Sequence, residues 1–289
     1  MSAPTFDEVC SRALALPCSP ALLPRLTAVL AQPDADVDDL AKLVQLDPVL
    51  ASSTVRLANS AYFSAGSVET VAEAVMRLGA RELYRLAALS LAGRWMAIKV
   101  DGYRWEAGDF CRASVIKAVA AEALAEETGR LDPALAYTCG LVHEIGKLAV
   151  AFCCAAQFAE IRQRRIDDDS TWLAAETAVL GFNHPAVSAR LLTEWKFPEA
   201  CVAVARDNPP GPNLKEDERC LAAHVHAAHH LASAFGAGQG EDAFLYSLDQ
   251  DLLEEWGLRA PVIEALLPVV LDRASRLLKD RVSSGQIEF

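Results

Sequence analysis

An imidazole and a carboxylate stand side by side at His143 and Glu144, inside the apolar run GLVHEIGKLAV of residues 140–150. Both groups are common ligands of zinc, iron and manganese, so the pair could hold a catalytic metal. Two ligands do not make a site, and the alternative is a buried, hydrogen-bonded histidine with a glutamate at the rim. The choice depends on whether the rest of the chain supplies further donors.

Five further histidines lie outside this pair. His184 precedes Pro185 in a turn, where a lone histidine is more often structural than a metal ligand. His226 and His230 are four residues apart, a spacing that can chelate a transition metal on a helix, and His229 is three residues from His226. Because the run lacks the glutamate of an H-E-x-x-H motif, we expect adventitious metal or none. No nucleophile elbow, Walker motif or dinucleotide glycine pattern is present.

The composition limits the classes of partner and the cellular compartment that we expect for this protein. The net charge of −12 predicts repulsion of nucleic-acid phosphates and of anionic membranes, so we expect neither as a partner. The longest apolar runs are about ten residues, too short to cross a bilayer, and no signal peptide is evident. Eight cysteines without a C-x-x-C pair predict reduced, buried thiols and a cytoplasmic protein.

Helices are the elements that must position these side chains. Apolar residues recur at helical spacing nearly everywhere and strand alternation is almost absent, which predicts an all-α fold. Gly79 is predicted to end one helix and Ser170 to cap another. Three aspartates are predicted to cap helix N-termini, two of them with a following proline at the first helical position: Asp36, Asp47-Pro48 and Asp132-Pro133.

The segment VDGYRWEAG, residues 100–108, breaks the helical periodicity and is the best candidate for a domain boundary. We therefore predict an N-terminal helical subdomain over residues 1–105. Residues 106–289 are predicted to form a helical bundle with the C-terminal helices, and this part contains all of the histidines.

Several motifs together resemble the HDOD domain over about residues 12–235. They are LDPVL at 46–50, LANSAYF at 57–63, VETVAEAVMRLG at 68–79, GLVHEIGK at 140–147, and 181–198 with its terminal EWKFP. HDOD domains are similar to the HD superfamily of helical, metal-dependent phosphohydrolases, which includes cyclic-dinucleotide phosphodiesterases. The resemblance therefore implies a multi-helix HD-like bundle with an N-terminal helical subdomain.

The resemblance also implies where metal ligands would fall. The early histidine of such enzymes falls on Ala113, which has no donor atom, and a later histidine pair falls on Asp207-Asn208. The His-Asp pair becomes His143-Glu144, whose extra methylene moves the carboxylate oxygens by roughly 1.5 Å. The implied vestigial metal pocket consists of the four remaining donors: His143, Glu144, His184 and His229.

With this incomplete set we expect no catalytic residue and no cofactor beyond a weakly or partially bound divalent metal, because water activation needs a fixed ion. The leading hypothesis is a non-catalytic signal-transduction module, as the resemblance implies, that binds a partner protein or a nucleotide second messenger. The alternative is a metal-dependent phosphohydrolase, acting on cyclic dinucleotides or nucleotides, with a rearranged metal site. A candidate interaction loop contains Asn59, Tyr62 and Phe63; the alternative is that Asn59 caps a helix and the two aromatic residues fill the core.

Overall fold

The computed structural model describes residues 3–14, 22–30, 36–60, 63, 67–96, 102–106, 108–236 and 249–282. Within these ranges the chain forms helices joined by turns and contains no strand, so the predicted all-α class is confirmed. The chain divides into a smaller unit, Cys18–Arg94, and a larger unit that combines Met1–Pro17 with Trp95–Phe289.

In chain order the helices are α1 (Phe6–Leu14), α2 (Leu22–Leu30), α3 (Val37–Gln45), α4 (Pro48–Ala58), α5 (Val71–Met96), α6 (Asp109–Thr128), α7 (Pro133–Val142), α8 (Ile145–Cys153), α9 (Phe158–Asp167), α10 (Trp172–Leu180), α11 (His184–Glu194), α12 (Glu199–Arg206), α13 (Glu216–Ala234), α14 (Gln250–Glu255) and α15 (Ala260–Val282).

The helix boundaries follow local chemistry. The carboxylates of Asp36, Asp47 and Asp132 each accept a backbone N–H of the following first turn, which confirms the three predicted caps. Gly79 interrupts α5 with φ 74°, as expected of a residue without a Cβ. The prediction for Ser170 was wrong: Thr171 is the N-cap of α10, and its hydroxyl accepts the N–H of Ala174 at 3.2 Å.

In the smaller unit, Asn59 follows α4 and is hydrogen-bonded to the backbone of Val68. Its side chain donates to the carbonyl of Val68 and accepts the Val68 N–H, both at 2.8 Å. Phe63 is half-buried and packs against a cluster formed by Ala58, Val68, Ala74 and Leu78. Tyr62 lies outside the described residues. Asn59 and Phe63 thus have structural contacts, and their role in a contact surface stays a prediction.

The larger unit is built around α6, which is buried from Asp109 to Ala125 apart from Arg112. Helix α7 packs closely on α6 because Gly140 faces it: a Cβ at Gly140 would lie 2.8 Å from the carbonyl oxygen of Lys117. This approach places the end of α7, where His143 and Glu144 follow, beside the side chain of Lys117.

Helix α8 packs on α11 through a second glycine. A Cβ at Gly146 would lie 2.1 Å from the carbonyl oxygen of His184, so only glycine permits this contact. The N–H of Gly146 also donates to the hydroxyl of Ser188 at 2.8 Å. The stretch Pro133–Cys153, which includes α7 and α8, has the length and hydropathy of a membrane span, but 89% of its apolar 18-residue window is buried inside the protein, as expected of core helices.

The structural division differs from the predicted domain boundary at residue 105. Helix α1 belongs to the larger unit, where it packs on α8 and α11. Tyr103, within the predicted boundary segment, is fully buried in the same unit. Its ring stacks on Trp105 at 4.7 Å between centroids and meets Phe158 edge to face.

Candidate metal pocket and a second buried carboxylate

His143 is the C-cap of α7, and its ring is almost completely buried. Its Nδ1 lies 3.2 Å from the carbonyl oxygen of Cys139 and 3.1 Å from that of Gly140. Since carbonyl oxygens only accept, Nδ1 carries the proton and Nε2 presents a lone pair, for which the described residues offer no hydrogen-bond donor. Burial lowers the pKa of His143 to about 4, so the ring is neutral at pH 7.

Glu144 follows directly and is equally buried. Lys117 of α6 contacts its Oε2, and Lys147 of α8 contacts its Oε1. One histidine nitrogen stands near each oxygen: Nε2 of His143 is 3.9 Å from Oε2, and Nδ1 of His229 is 3.7 Å from Oε1. Each carboxylate oxygen therefore faces one ammonium group and one imidazole. We call these five side chains the Glu144 centre.

The two lysines set the charge of this centre. Burial alone would raise the pKa of the Glu144 carboxyl, but the ammonium groups of Lys117 and Lys147 outweigh burial and hold the pKa well below its usual range. Burial, assisted by Lys117, holds the pKa of His229 well below its usual range. The five groups thus carry one negative and two positive charges.

The donor types in this pocket suit a metal, but the two ammonium groups beside them do not. Among the described residues, His143, Glu144 and His229 form a potential ligand group with donor atoms within 4.8 Å of one another. Nε2 of His143 and Nδ1 of His229 lie 3.9 and 3.7 Å from the carboxylate oxygens, separations that two ligands of one ion can have, so the obstacle to a metal is the charge of the lysines. A divalent ion about 4 Å from one ammonium would be repelled by about 8 kcal/mol at an effective dielectric constant of about 20. The residues present therefore do not fit a resident metal.

His184 stands apart from that ligand group and is bound to a second buried carboxylate, Glu176 of α10. Nδ1 of His184 lies 2.9 Å from Oε2 of Glu176, and the His184 backbone N–H donates to the same oxygen at 2.9 Å. The hydroxyl of Tyr103 and the indole N–H of Trp172 donate to Oε1 at 2.5 and 3.0 Å. These four residues form the Glu176 centre.

Hydrogen bonds stabilise the charge of the Glu176 centre. Burial would raise the pKa of Glu176, but His184, through its charge and its hydrogen bonds, and the hydroxyl of Tyr103 lower it below the ordinary value. The two centres meet through the backbone, because Gly146, two residues after Glu144, packs against the carbonyl of His184.

Two other positions at which the resemblance places metal ligands lie outside this ligand group. Ala113 is buried on α6 one turn before Lys117, so the position without a donor and the lysine share a helix face. Asp207 forms a surface ion pair with Arg206.

The histidine run of α13 is divided by its surroundings. Nε2 of His226 accepts the N–H of Asp249, the N-cap of α14, at 3.2 Å, whereas His230 is exposed. Of this run, His229 alone joins the potential ligand group.

The sequence interpretation missed Lys117, Lys147, Tyr103 and Glu176. A signal was available for two of them. Lys117 interrupts the apolar run SVIKAVAA, and a lysine in the middle of a buried helix needs a counter-ion. Glu176 is the one acidic residue of WLAAETAVL and stands four residues after Trp172, on the same helix face. Only the fold reveals which carboxylate meets which base.

Comparison with known proteins identifies a family model and several proteins that are similar to this chain. The model of the HDOD domain matches residues 16–208. A Treponema pallidum protein of uncharacterised function is 25% identical over 214 residues, which are 73% of this chain but only 40% of that protein.

Two solved structures share the fold. A candidate signal transduction protein from Marinobacter aquaeolei has a TM-score of 0.70 and 24% identity, with 94% of this chain and 60% of that chain covered. A candidate phosphohydrolase from Shewanella amazonensis has a TM-score of 0.61 and 26% identity, with 94% and 93% covered. With two thirds of its residues inside the matching model and an architecture shared with these proteins, the chain belongs to the HDOD domain family.

Proposed function

We propose that this chain is a non-catalytic signal-transduction module of the HDOD type. It acts by binding a partner, either a signalling protein or a nucleotide second messenger, and needs neither a metal nor a cofactor. Neither nucleic acid nor a membrane is a partner, since the chain carries a net charge of −12. The described cysteines are free thiols, which fits a reducing, cytoplasmic setting.

One observation carries this proposal: both oxygens of Glu144 are in contact with lysine ammonium groups. Metal-assisted hydrolysis needs an ion with an open position for water. In this pocket Ala113 supplies no donor, and Lys117 occupies the carboxylate edge that faces His143. The name of the Marinobacter relative, a candidate signal transduction protein, supports the regulatory role.

A phosphodiesterase assay tests the absence of catalysis. Purified protein is incubated with cyclic di-GMP and with a chromogenic phosphodiester, with Mn²⁺ or Ni²⁺ added. We expect no turnover above the buffer rate. Turnover that disappears in His143→Ala, while that variant keeps the wild-type melting temperature, would overturn the proposal.

A metal-dependent phosphohydrolase with a rearranged site is the second candidate. It is favoured by Nε2 of His143, a buried acceptor without a donor among the described residues, and by the name of the Shewanella relative. Elemental analysis of protein purified without chelator discriminates between the two functions. One equivalent of metal that is lost in His143→Ala favours the hydrolase, whereas its absence favours the binding module.

Binding itself is tested without assuming the partner. The melting temperature is measured with cyclic di-GMP, cyclic di-AMP and mononucleotides, each in the presence of EDTA. A saturable increase in EDTA identifies a metal-independent nucleotide ligand. No increase with any nucleotide leaves a protein partner as the proposed ligand, to be sought by crosslinking in the native cell with EDTA retained during capture.

A further inference from the structure

The two lysines of the Glu144 centre lie where a cation would have to lie. A metal held by His143 and Glu144 must contact Oε2, and one held by His229 and Glu144 must contact Oε1. Oε2 is in contact with the ammonium of Lys117, and Oε1 with that of Lys147. Both lysine side chains are at least nine-tenths buried, so these are interior ion pairs.

We propose that Lys117 and Lys147 are built-in replacements for a divalent cation. Their two ammonium groups supply the positive charge that Glu144 requires, and they close a latent cation site made of His143, Glu144 and His229. The site is therefore absent from the wild-type protein and present in a chain whose lysines have lost their charge. This inference rests on the proposed non-catalytic function and names its molecular cause.

The positions of the two lysines explain how they exclude a metal ion from the Glu144 carboxylate. Lys117 projects from α6, whereas Lys147 is on α8, three residues after Glu144. The carboxylate is held from two helices, as a metal ion would hold it. A buried carboxylate left without counter-ions is strongly unfavourable, so removal of the lysines creates a demand for another cation.

Lysine-to-methionine variants test the proposal, because methionine fills a similar volume without charge. Wild type, Lys117→Met, Lys147→Met and the double variant are titrated with Co²⁺, and binding is followed by visible absorption and by calorimetry. We expect no stoichiometric binding by wild type and one equivalent bound by the double variant, roughly a hundredfold or more tighter. Relief of a single ammonium–divalent repulsion at contact distance exceeds what that factor requires.

Two controls assign the effect to this site. Lys42→Met removes an exposed lysine and should bind cobalt as weakly as wild type. Adding His143→Ala to the double variant should abolish the acquired binding. Lysine variants that fold normally yet gain no cobalt affinity would overturn the proposal, as would one equivalent of cobalt bound by wild type through His143.

Loss of folding is also informative. If the double variant is unfolded in EDTA, the proposal predicts that Co²⁺ or Zn²⁺ restores its circular dichroism and cooperative melting, and that Mg²⁺, which prefers oxygen ligands, does so less. A variant that stays unfolded in saturating Co²⁺ and Zn²⁺ contradicts it.

The outcomes separate this inference from the proposed function. If the wild type is metal-free and inactive and the lysine variants gain no cobalt affinity, the proposed replacement of a cation by lysines is wrong. The non-catalytic function is then unaffected. Turnover of a phosphodiester by wild type removes the function itself.

Discussion

Two buried carboxylates in the larger unit, Glu144 and Glu176, are stabilised in different ways. Glu144 is neutralised by the full charges of Lys117 and Lys147. Glu176 receives directed bonds from Tyr103, Trp172 and His184. The pKa of each carboxyl is lowered despite burial, chiefly by ammonium charge at Glu144 and by the histidine and hydrogen bonds at Glu176.

The difference indicates what each centre is built to do. Hydrogen bonds with fixed geometry hold one charge state of one residue, and they tie Tyr103, α10 and the start of α11 together. The Glu144 centre instead places two ammonium groups among neutral imidazoles, and their positive charge repels a metal ion. Variants at the two centres should therefore differ in the size and the cause of their effects.

Glu144→Gln should produce the largest loss of stability. The substitution keeps the shape but leaves two buried ammonium groups without their carboxylate, at a cost of about 4 kcal/mol. Urea unfolding monitored by circular dichroism measures the loss. A loss of less than about 1 kcal/mol, typical of exposed pairs, would show that these ion pairs are not desolvated in solution.

Gly146→Ala should cause the second-largest loss of stability, because Gly146 lies at the close contact between the Glu144 and Glu176 centres. The new Cβ would lie 2.1 Å from the His184 carbonyl oxygen and 2.6 Å from the Ser188 nitrogen, so α8 and α11 must separate. We expect a loss of about 3 kcal/mol. Gly129→Ala is the control: its added Cβ meets nothing within 4 Å, and its positive φ gives a separate, smaller strain. Equal losses in the two variants would contradict the close approach.

Glu176→Gln should cost less than Glu144→Gln, about 2 kcal/mol, because hydrogen-bond donors remain around an amide that can still accept from some of them. Tyr103→Phe should cost about 1 kcal/mol and lose most of that effect in the Glu176→Gln background. Full additivity of the two substitutions would mean that the Tyr103 hydroxyl does not depend on Glu176.

Acid should weaken the Glu144 centre through protonation of His143. His143 has a folded pKa of about 4, below its unfolded value, so its stabilising effect is complete above pH 6.5 and is lost as the pH falls toward 4. The contribution of His143 at pH 5.5 should be about 1 kcal/mol smaller than at pH 7.5. The measurement is the pH slope of the unfolding free energy, and His143→Gln should make it shallower. An unchanged slope in that variant contradicts a buried, neutral His143.

The sequence sufficed for the three aspartate caps, although it misplaced the cap of α10 by one residue. Asp36, Asp47 and Asp132 cap their helices because the acceptor and its amide lie within one turn. The break at Cys154 was not foreseen: apolar periodicity runs through residues 151–164, whereas the chain leaves α8 there and passes through a 3-10 turn, Ala155–Gln157, before α9.

The site could be predicted only in part, because its partners come from distant parts of the chain. His143, Glu144 and His229 are brought together, but His184 joins Glu176 instead. A residue-by-residue comparison with metal enzymes shows only which metal ligands this chain has lost. It cannot reveal that Lys117, 27 residues before Glu144, has supplied a charge in their place.

The most direct test of the central claim, that ammonium groups rather than a metal neutralise Glu144, is an anomalous diffraction map. Crystals of the wild-type protein grown with Zn²⁺ are measured on both sides of the zinc absorption edge. The account predicts no anomalous peak between His143, Glu144 and His229, and density for both lysine side chains against the carboxylate. A strong peak bonded to these three residues, with Lys117 and Lys147 turned away, would contradict it.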